Sequence, residues 1–253
     1  MLKTFKIGGI HPPENKLTSG GKIQKLPVPE QVIIPLGQHI GAPASPVVKK
    51  GDAVKAGQLI GQATGFVSAN VHSSVSGTVT AVESRPDAAG LLKPCIVIQV
   101  EGDEWVPEVD LSEKIERHTD LPKEEIIKAI SAAGIVGMGG ATFPTQVKLS
   151  PPPGSKAEIL IINGVEGEPY LTADHRIMLE RGEEILIGVQ LLMKAIEVKK
   201  AVIGIENNKR DAIEHLQSLA AGMNGIEICP LKVKYPQGGE KQLIQAITKR
   251  AVP

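Results

Sequence analysis

Apolar residues recur in two rhythms along the chain. Between residues 31 and 101 they come in short runs broken by glycine: Val32-Ile33-Ile34-Pro35-Leu36, Pro46-Val47-Val48, Gln58-Leu59-Ile60-Gly61, Gly77-Thr78-Val79-Thr80-Ala81-Val82 and Cys95-Ile96-Val97-Ile98-Gln99-Val100. Runs this short and closely spaced predict the strands of a small all-β module. From residue 122 onward the rhythm is helical and alternates with apolar strands. Helices are expected over 122–133, with Ile126, Ile127 and Ile130 on one side, and over 174–198 with an interruption near Gly182. Two more are expected over 208–220, capped by Asn208, and over 239–249, with strands over 158–163, 201–205 and 226–231. Strand-helix alternation at this spacing predicts a Rossmann-like α/β sheet, whose ligands belong at the carboxyl ends of its strands. Residues 1–30, rich in Gly, Pro and Lys, read as an extended arm, and the acidic stretch 102–121, with Trp105, reads as a linker. The expected order is thus arm (1–30), β module (31–101), linker (102–121) and α/β part (122–253).

Three stretches of the α/β part carry candidate chemistry: Gly137-Met138-Gly139-Gly140-Ala141-Thr142-Phe143-Pro144-Thr145, Asn163-Gly164-Val165-Glu166-Gly167-Glu168-Pro169, and Gly238-Gly239-Glu240. A phosphate needs several backbone N–H groups to converge at close approach, which a Cβ hinders. Pro144 suits the first turn of a helix, so residues 137–143 are expected to lead into a helix that starts near Phe143 and runs toward Lys148, with an anion favoured at its N-terminus. For this loop alone, a tight structural turn is the competing reading. The spacing is not that of a Walker loop, and no Gly-x-Gly-x-x-Gly follows a strand, which disfavours an ordinary ATPase or an ordinary Rossmann dehydrogenase.

Composition removes several other classes. Lys plus Arg equals Asp plus Glu at 28 each, and aromatics make up 2%, so neither a phosphate-neutralising surface nor a base-stacking platform is indicated and nucleic acid is not an expected partner. No run reaches the roughly 18 apolar residues of a membrane span, and the N-terminus lacks a signal peptide's apolar core, so no direct membrane insertion is expected. The two cysteines, Cys95 and Cys229, are too few for a cluster held by four thiolates and are expected as buried, reduced thiols, with a structural disulfide the alternative. The six histidines show no paired metal-ligand spacing, and no metal ligands are assigned.

The run from Val48 to Gly61, followed by Val75-Ser76-Gly77-Thr78-Val79, resembles the barrel-sandwich hybrid of biotinyl and lipoyl carrier domains. A carrier presents a modifiable lysine on the hairpin before the Ser-Gly-Thr strand. Here that region reads Asn70-Val71-His72-Ser73-Ser74, so an unmodified structural or docking module is expected. Together with Phe5-Lys6-Ile7-Gly8-Gly9-Ile10-His11-Pro12-Pro13-Glu14-Asn15-Lys16 and the α/β part, this module resembles the C subunits of Rnf electron transport complexes, over the whole chain. The α/β part is also similar to the flavin-bearing subunit of respiratory complex I.

That resemblance implies an NAD(H)-FMN oxidoreductase module of a ferredoxin-NAD electron transport complex, coupled to ion movement across the membrane. It implies that Gly137, Gly139, Gly140 and Ala141 make backbone contacts to FMN, with Lys148 near phosphate or flavin oxygens and Asn163 on the flavin ring. Glu166 and Glu168 line the acidic loop, Glu168 meeting the nicotinamide nucleotide; Gly238 lies on the second glycine turn, Glu240 receives nucleotide hydroxyls, and Phe143 lies near the adenine. Met138, Val165 and Gly239 stand where the relative has Arg or an acid. Family members continue into a ubiquitin-like domain and a ferredoxin-like part with two 4Fe-4S clusters, so a truncated chain is expected, with no catalytic nucleophile. The implied setting is peripheral, on the cytoplasmic side of the bacterial inner membrane, among the other subunits of the complex, with ferredoxin reached indirectly. A cobalamin reductase of the same domain order and a docking scaffold that has lost its nucleotide are the alternatives.

Overall fold

The structure is a computed structural model and describes residues 2–252. The chain divides into two compact units. One runs from Leu26 to Ser155; the other joins the residues up to Lys25 with those from Lys156 on. These boundaries differ from the four segments read from composition, because residues 122–155 pack with the β module and the N-terminal arm packs with the α/β sheet.

In the first unit, β1 (Gln31–Pro35), β7 (Leu92–Val100), β6 (Gly77–Pro86) and β3 (Ala53–Val54) form an antiparallel sheet in that order, and β2 (Ser45–Pro46), β4 (Leu59–Gln62) and β5 (Val71–His72) form a second. Both contribute to one core of Ile34, Val54, Ile60, Val71, Val79, Ile96 and Ile98, the arrangement expected of a barrel-sandwich hybrid. Strands β6 and β7 run further than their apolar stretches. Their outer halves pair Glu83 with Cys95, Ser84 with Pro94 and Arg85 with Lys93, a polar ribbon whose backbone ladder continues beyond the core. Two helices follow, α1 (Lys123–Ala132) and the single turn α2 (Thr145–Lys148). Part of the expected linker is tied to the module, since Trp105 bridges Ala56.

The second unit holds a parallel sheet in the order β10 (Ile226–Leu231), β9 (Ala201–Glu206), β8 (Leu160–Asn163). All six residues of the central strand β9 are buried, as a parallel strand covered on both faces requires. One face packs Ala201, Ile203 and Ile205 against α3 (Ala173–Glu180), α4 (Gly182–Ala195) and α5 (Arg210–Ala220) through Met178, Leu186, Val189, Ile213 and Leu216. The other packs Val202, Cys229 and Leu231 against Leu243, Ala246 and Ile247 of α6 (Glu240–Thr248). The helical run expected over 174–198 is broken between Glu180 and Gly182. Cys95 and Cys229 are buried and free.

The arm is extended and anchored. Lys3 bridges Leu231 in parallel and Ile10 bridges Tyr235 antiparallel, while Phe5 is buried under the Lys234 ammonium, 4.1 Å from its ring centre.

Candidate functional site

The glycine loop belongs to the first unit. Val136 and Pro144 form an antiparallel bridge, the Gly137 amide donates to the Phe143 carbonyl at 2.9 Å and the Thr145 amide to that of Ile135 at 3.0 Å. The tip closes through the Thr142 amide on the Gly139 carbonyl at 3.0 Å, with Thr142 at φ 45°. The loop is therefore a narrow hairpin, which corrects the expected run from Phe143 into a helix. Pro144 is buried in the bridge with an extended ψ of 125°, so it precedes the helix and α2 begins only at Thr145. One turn carries little macrodipole, which leaves the loop's own amides as its anion-facing feature. Those of Met138, Gly139, Gly140 and Ala141 make no backbone hydrogen bond among the described residues.

Its glycines fall into two kinds. A Cβ on Gly137 would collide with the Nζ of Lys148, whereas on Gly139 and Gly140 it would meet nothing within 4 Å, and neither of these has positive φ. Gly137 thus makes room for a lysine of this protein. The other two keep a length of backbone bare toward open space, which is what close approach by a phosphate or a flat ring requires. Phe143 is half-buried and Lys148 exposed at the end of α2.

The remaining expected residues lie in the second unit, at the carboxyl ends of the parallel strands. Asn163 ends β8, and its carboxamide ties two loops together: Nδ2 donates to the Gly238 carbonyl at 2.8 Å and Oδ1 accepts from the Val165 amide at 3.2 Å. Glu166 has φ 48° and is buried. Its Oε1 accepts the Asp174 amide in the first turn of α3 at 2.7 Å, the cap that Thr172 does not supply, while its Oε2 is buried with no partner. Glu168 is exposed, and Glu240 is exposed in the first turn of α6, where a carboxylate complements the helix dipole.

Four residues that sequence reasoning passed over shape this end of the sheet. Lys16 reaches from the arm and donates to the carbonyls of Glu166, Glu168 and Leu171 at 2.9, 2.9 and 2.7 Å, so all three of its protons hold the acidic loop. Glu14 accepts from Asn208 at 2.9 Å. Lys209, 2% exposed, donates to the Val165 carbonyl at 2.9 Å and to Asn208 Oδ1 at 3.1 Å; burial, then the nearby Lys16 charge, pull its pKa down. Glu206, equally buried, accepts the Lys234 amide at 3.0 Å, and burial pushes its pKa up. The available signal was the polar run Glu206-Asn207-Asn208-Lys209-Arg210 directly after an apolar strand. Asn208, expected as the cap of α5, instead bonds Glu14 and Lys209, and Lys209 takes the cap position without a side-chain bond. A cavity of about 180 Å³ opens here, lined by His11, Glu14, Lys16, Glu166, Glu206 and Tyr235 among others. Among the described residues no group of three His, Cys, Asp or Glu side chains could hold a metal.

Two domain families match the chain. The RnfC barrel sandwich hybrid domain family matches residues 3–103, and the Nuo51 FMN-binding domain family matches residues 130–253. The C subunit of the proton-translocating ferredoxin:NAD(+) oxidoreductase complex of Clostridium ljungdahlii is 48% identical, over 100% of this chain and 55% of that protein. Its counterpart in the Na(+)-translocating ferredoxin:NAD(+) oxidoreductase complex of Acetobacterium woodii is 48% identical over 99% and 56%, and that of an ion-translocating oxidoreductase complex of Rhodobacter capsulatus is 44% identical over 100% and 49%. The chain thus spans about half the length of these curated relatives. Among solved structures, an NAD+-reducing [NiFe]-hydrogenase in the air-oxidized state is 27% identical over 49% of this chain and 23% of its own, with a TM-score of 0.45, too low to carry weight. With two matching domain families in the same order and relatives that match nearly all of it, the chain is similar over its whole length to the C subunits of Rnf-type ion-translocating oxidoreductase complexes.

Proposed function

We propose that this chain is the NAD(H)-FMN module of a membrane-associated, ion-translocating ferredoxin:NAD oxidoreductase. The observation that carries this reading is the bare backbone of Gly139 and Gly140, with unengaged amides from Met138 to Ala141 and Lys148 drawn against Gly137. It is a cradle that the protein's own packing does not require and a flavin phosphate would use. FMN, when bound, supplies a two-electron centre that accepts a hydride from NADH and returns electrons singly.

The residues of the chain bind and orient. Gly137, Gly139, Gly140 and Ala141 present the cradle, and Lys148 brings a fixed positive charge that favours a reduced, anionic ring. Phe143 offers an apolar face to adenine. Asn163 and Gly238 set the strand-end loops, where Glu166, Glu168 and Glu240 accept hydrogen bonds from hydroxyls of the nucleotide. The unpartnered Oε2 of Glu166 suits such a role, because a buried acceptor without a donor costs about 1–3 kcal/mol until one arrives. Hydride transfer needs stacking distance and exclusion of water, with no acid or base from the protein.

In this reading the sequence is organised as arm (1–30), hybrid module (31–101), linker (102–121) and flavin-nucleotide segment (122–253). In this reading two 4Fe-4S clusters held outside this chain carry electrons onward, and ferredoxin is reached through other subunits. No helix among the described residues is long and apolar enough to cross a membrane, and a peripheral seat on the cytoplasmic side of the bacterial inner membrane fits that role.

Anaerobic titration of the FMN-reconstituted chain with NADH, following the flavin band, tests the proposal. Bleaching at stoichiometric NADH is expected. A chain that takes up no FMN overturns it in favour of a docking scaffold.

A further inference from the structure

The hybrid module has no lysine on the β4–β5 connection, residues 63–70, where carrier domains are modified. Its loops are nonetheless built for a purpose. Residues 39–42 and 67–70 form one plate: the Ala42 amide donates to the Val67 carbonyl at 3.0 Å, Ser68 Oγ to the Ala42 carbonyl at 2.8 Å and the Ala69 amide to His39 Nε2 at 3.1 Å. Three bonds run from this plate to the segment that carries the glycine loop. Asn70 Oδ1 is held inside the connection by the Ala63 amide at 3.0 Å and Gln62 at 3.1 Å, which leaves Nδ2 to donate to the Ala132 carbonyl at the end of α1 at 3.1 Å. Next to it, Gly134 at φ 66° lies so close that a Cβ would collide with the Asn70 backbone oxygen. On the far side of the loop, Gln146 of α2 donates to the Ser68 carbonyl at 2.8 Å, and the loop itself is touched at Ala141, whose carbonyl accepts the Ile40 amide at 3.3 Å.

The geometry points to the hybrid module as the fixture of the glycine loop, with Asn70, Gly134 and Gln146 as positioning residues that hold its two ends at a set separation. The bonds come from a rigid sheet-bounded plate to three points before, within and after the loop. A loop whose unengaged amides must converge on one anion gains from such a fixture, because ordering it at the moment of binding costs affinity. The module is therefore a structural half of the loop's site. The flavin part of this inference rests on the function proposed above; the positioning part does not.

Hydrogen exchange of the full chain, with and without FMN, tests it in Gly134→Ala, in Asn70→Asp, which keeps the acceptor but removes the donor, and in Gln146→Leu. None of the three is assigned to contact flavin. Exchange over residues 136–145 should rise about tenfold or more in Gly134→Ala while residues 77–100 keep native protection, and the FMN dissociation constant should rise about tenfold or more. Native exchange over 136–145 in that variant overturns the inference. Should Gly134→Ala lose protection over 77–100 as well, the module itself has opened and the Asn70→Asp/Gln146→Leu double variant decides: faster exchange confined to 136–145 supports the fixture, and unchanged exchange there refutes it. A native chain that takes up no FMN would sink the flavin reading and leave the exchange result standing.

Discussion

Gly139 and Gly140 differ from Gly137 in that the protein's own packing leaves room for a side chain at each. Because a Cβ at Gly139 meets nothing within 4 Å, Gly139→Val should leave thermal stability within about 0.5 kcal/mol of native while abolishing FMN uptake; retained uptake would remove the loop from the site. Glu240 makes the complementary case at an exposed position. Glu240→Ala should weaken NADH by about 1–3 kcal/mol, and FMN by less, if the acid receives a buried pair of hydroxyls; equal losses measured by calorimetry would point to a folding defect. Glu206 reports on the charge cluster under the arm. Burial raises its pKa in the native state, so from the ordinary glutamate value upward the folded chain keeps a proton that the unfolded chain has released. Its contribution to stability is full at lower pH and falls as pH rises through the native pKa. Glu206→Gln, which keeps an acceptor for the Lys234 amide, should therefore flatten the fall in stability as pH rises above the ordinary glutamate value, measured by denaturant melts. A slope identical to native would show that Glu206 does not titrate in that window.

Among the elements, the ones with strong periodicity were legible and the ones set by polar contacts were not. The three parallel strands and helices α1, α3, α4, α5 and α6 fall where the apolar spacing placed them; α3, α4, α5 and α6 each bury apolar residues against the parallel sheet, and α1 buries Ile126. The outer halves of β6 and β7 carry no apolar pattern, since backbone pairing alone extends them. The cap of α5 went astray because Asn208 found tertiary partners in Glu14 and Lys209, and α2 shrank because Pro144 is committed to the bridge. The arm shows how much such contacts weigh. Lys16 holds the loop after β8 by three carbonyls, so Lys16→Met should cost about 1–3 kcal/mol by urea denaturation and speed amide exchange over residues 166–171. An unchanged midpoint would reduce the arm to a bystander.

For the molecule as a whole, the sequence hid which body carries the glycine loop. The glycine loop packs with the hybrid module through Asn70, Gln146 and the Ala141 carbonyl, bonds from two carboxamides and one backbone amide to backbone oxygens that leave no periodic trace in sequence. Cysteine usage sets a limit at the same scale. The chain has two cysteines, both buried and free, one on β7 and one on β10, and burial pushes the Cys229 thiol up, away from the thiolate a metal requires. A relay of clusters held by four thiolates each cannot be assembled from them. Electrons that enter this chain from NADH should therefore stop at the flavin. After anaerobic reduction of the FMN-reconstituted chain by excess NADH, the optical change should be accounted for by flavin alone, and low-temperature EPR should show no signal of a reduced iron–sulfur cluster. A cluster signal that scales with the protein would mean that the chain recruits iron in a way its described side chains do not provide, and would move the one-electron relay into the half of the protein that carries the glycine loop.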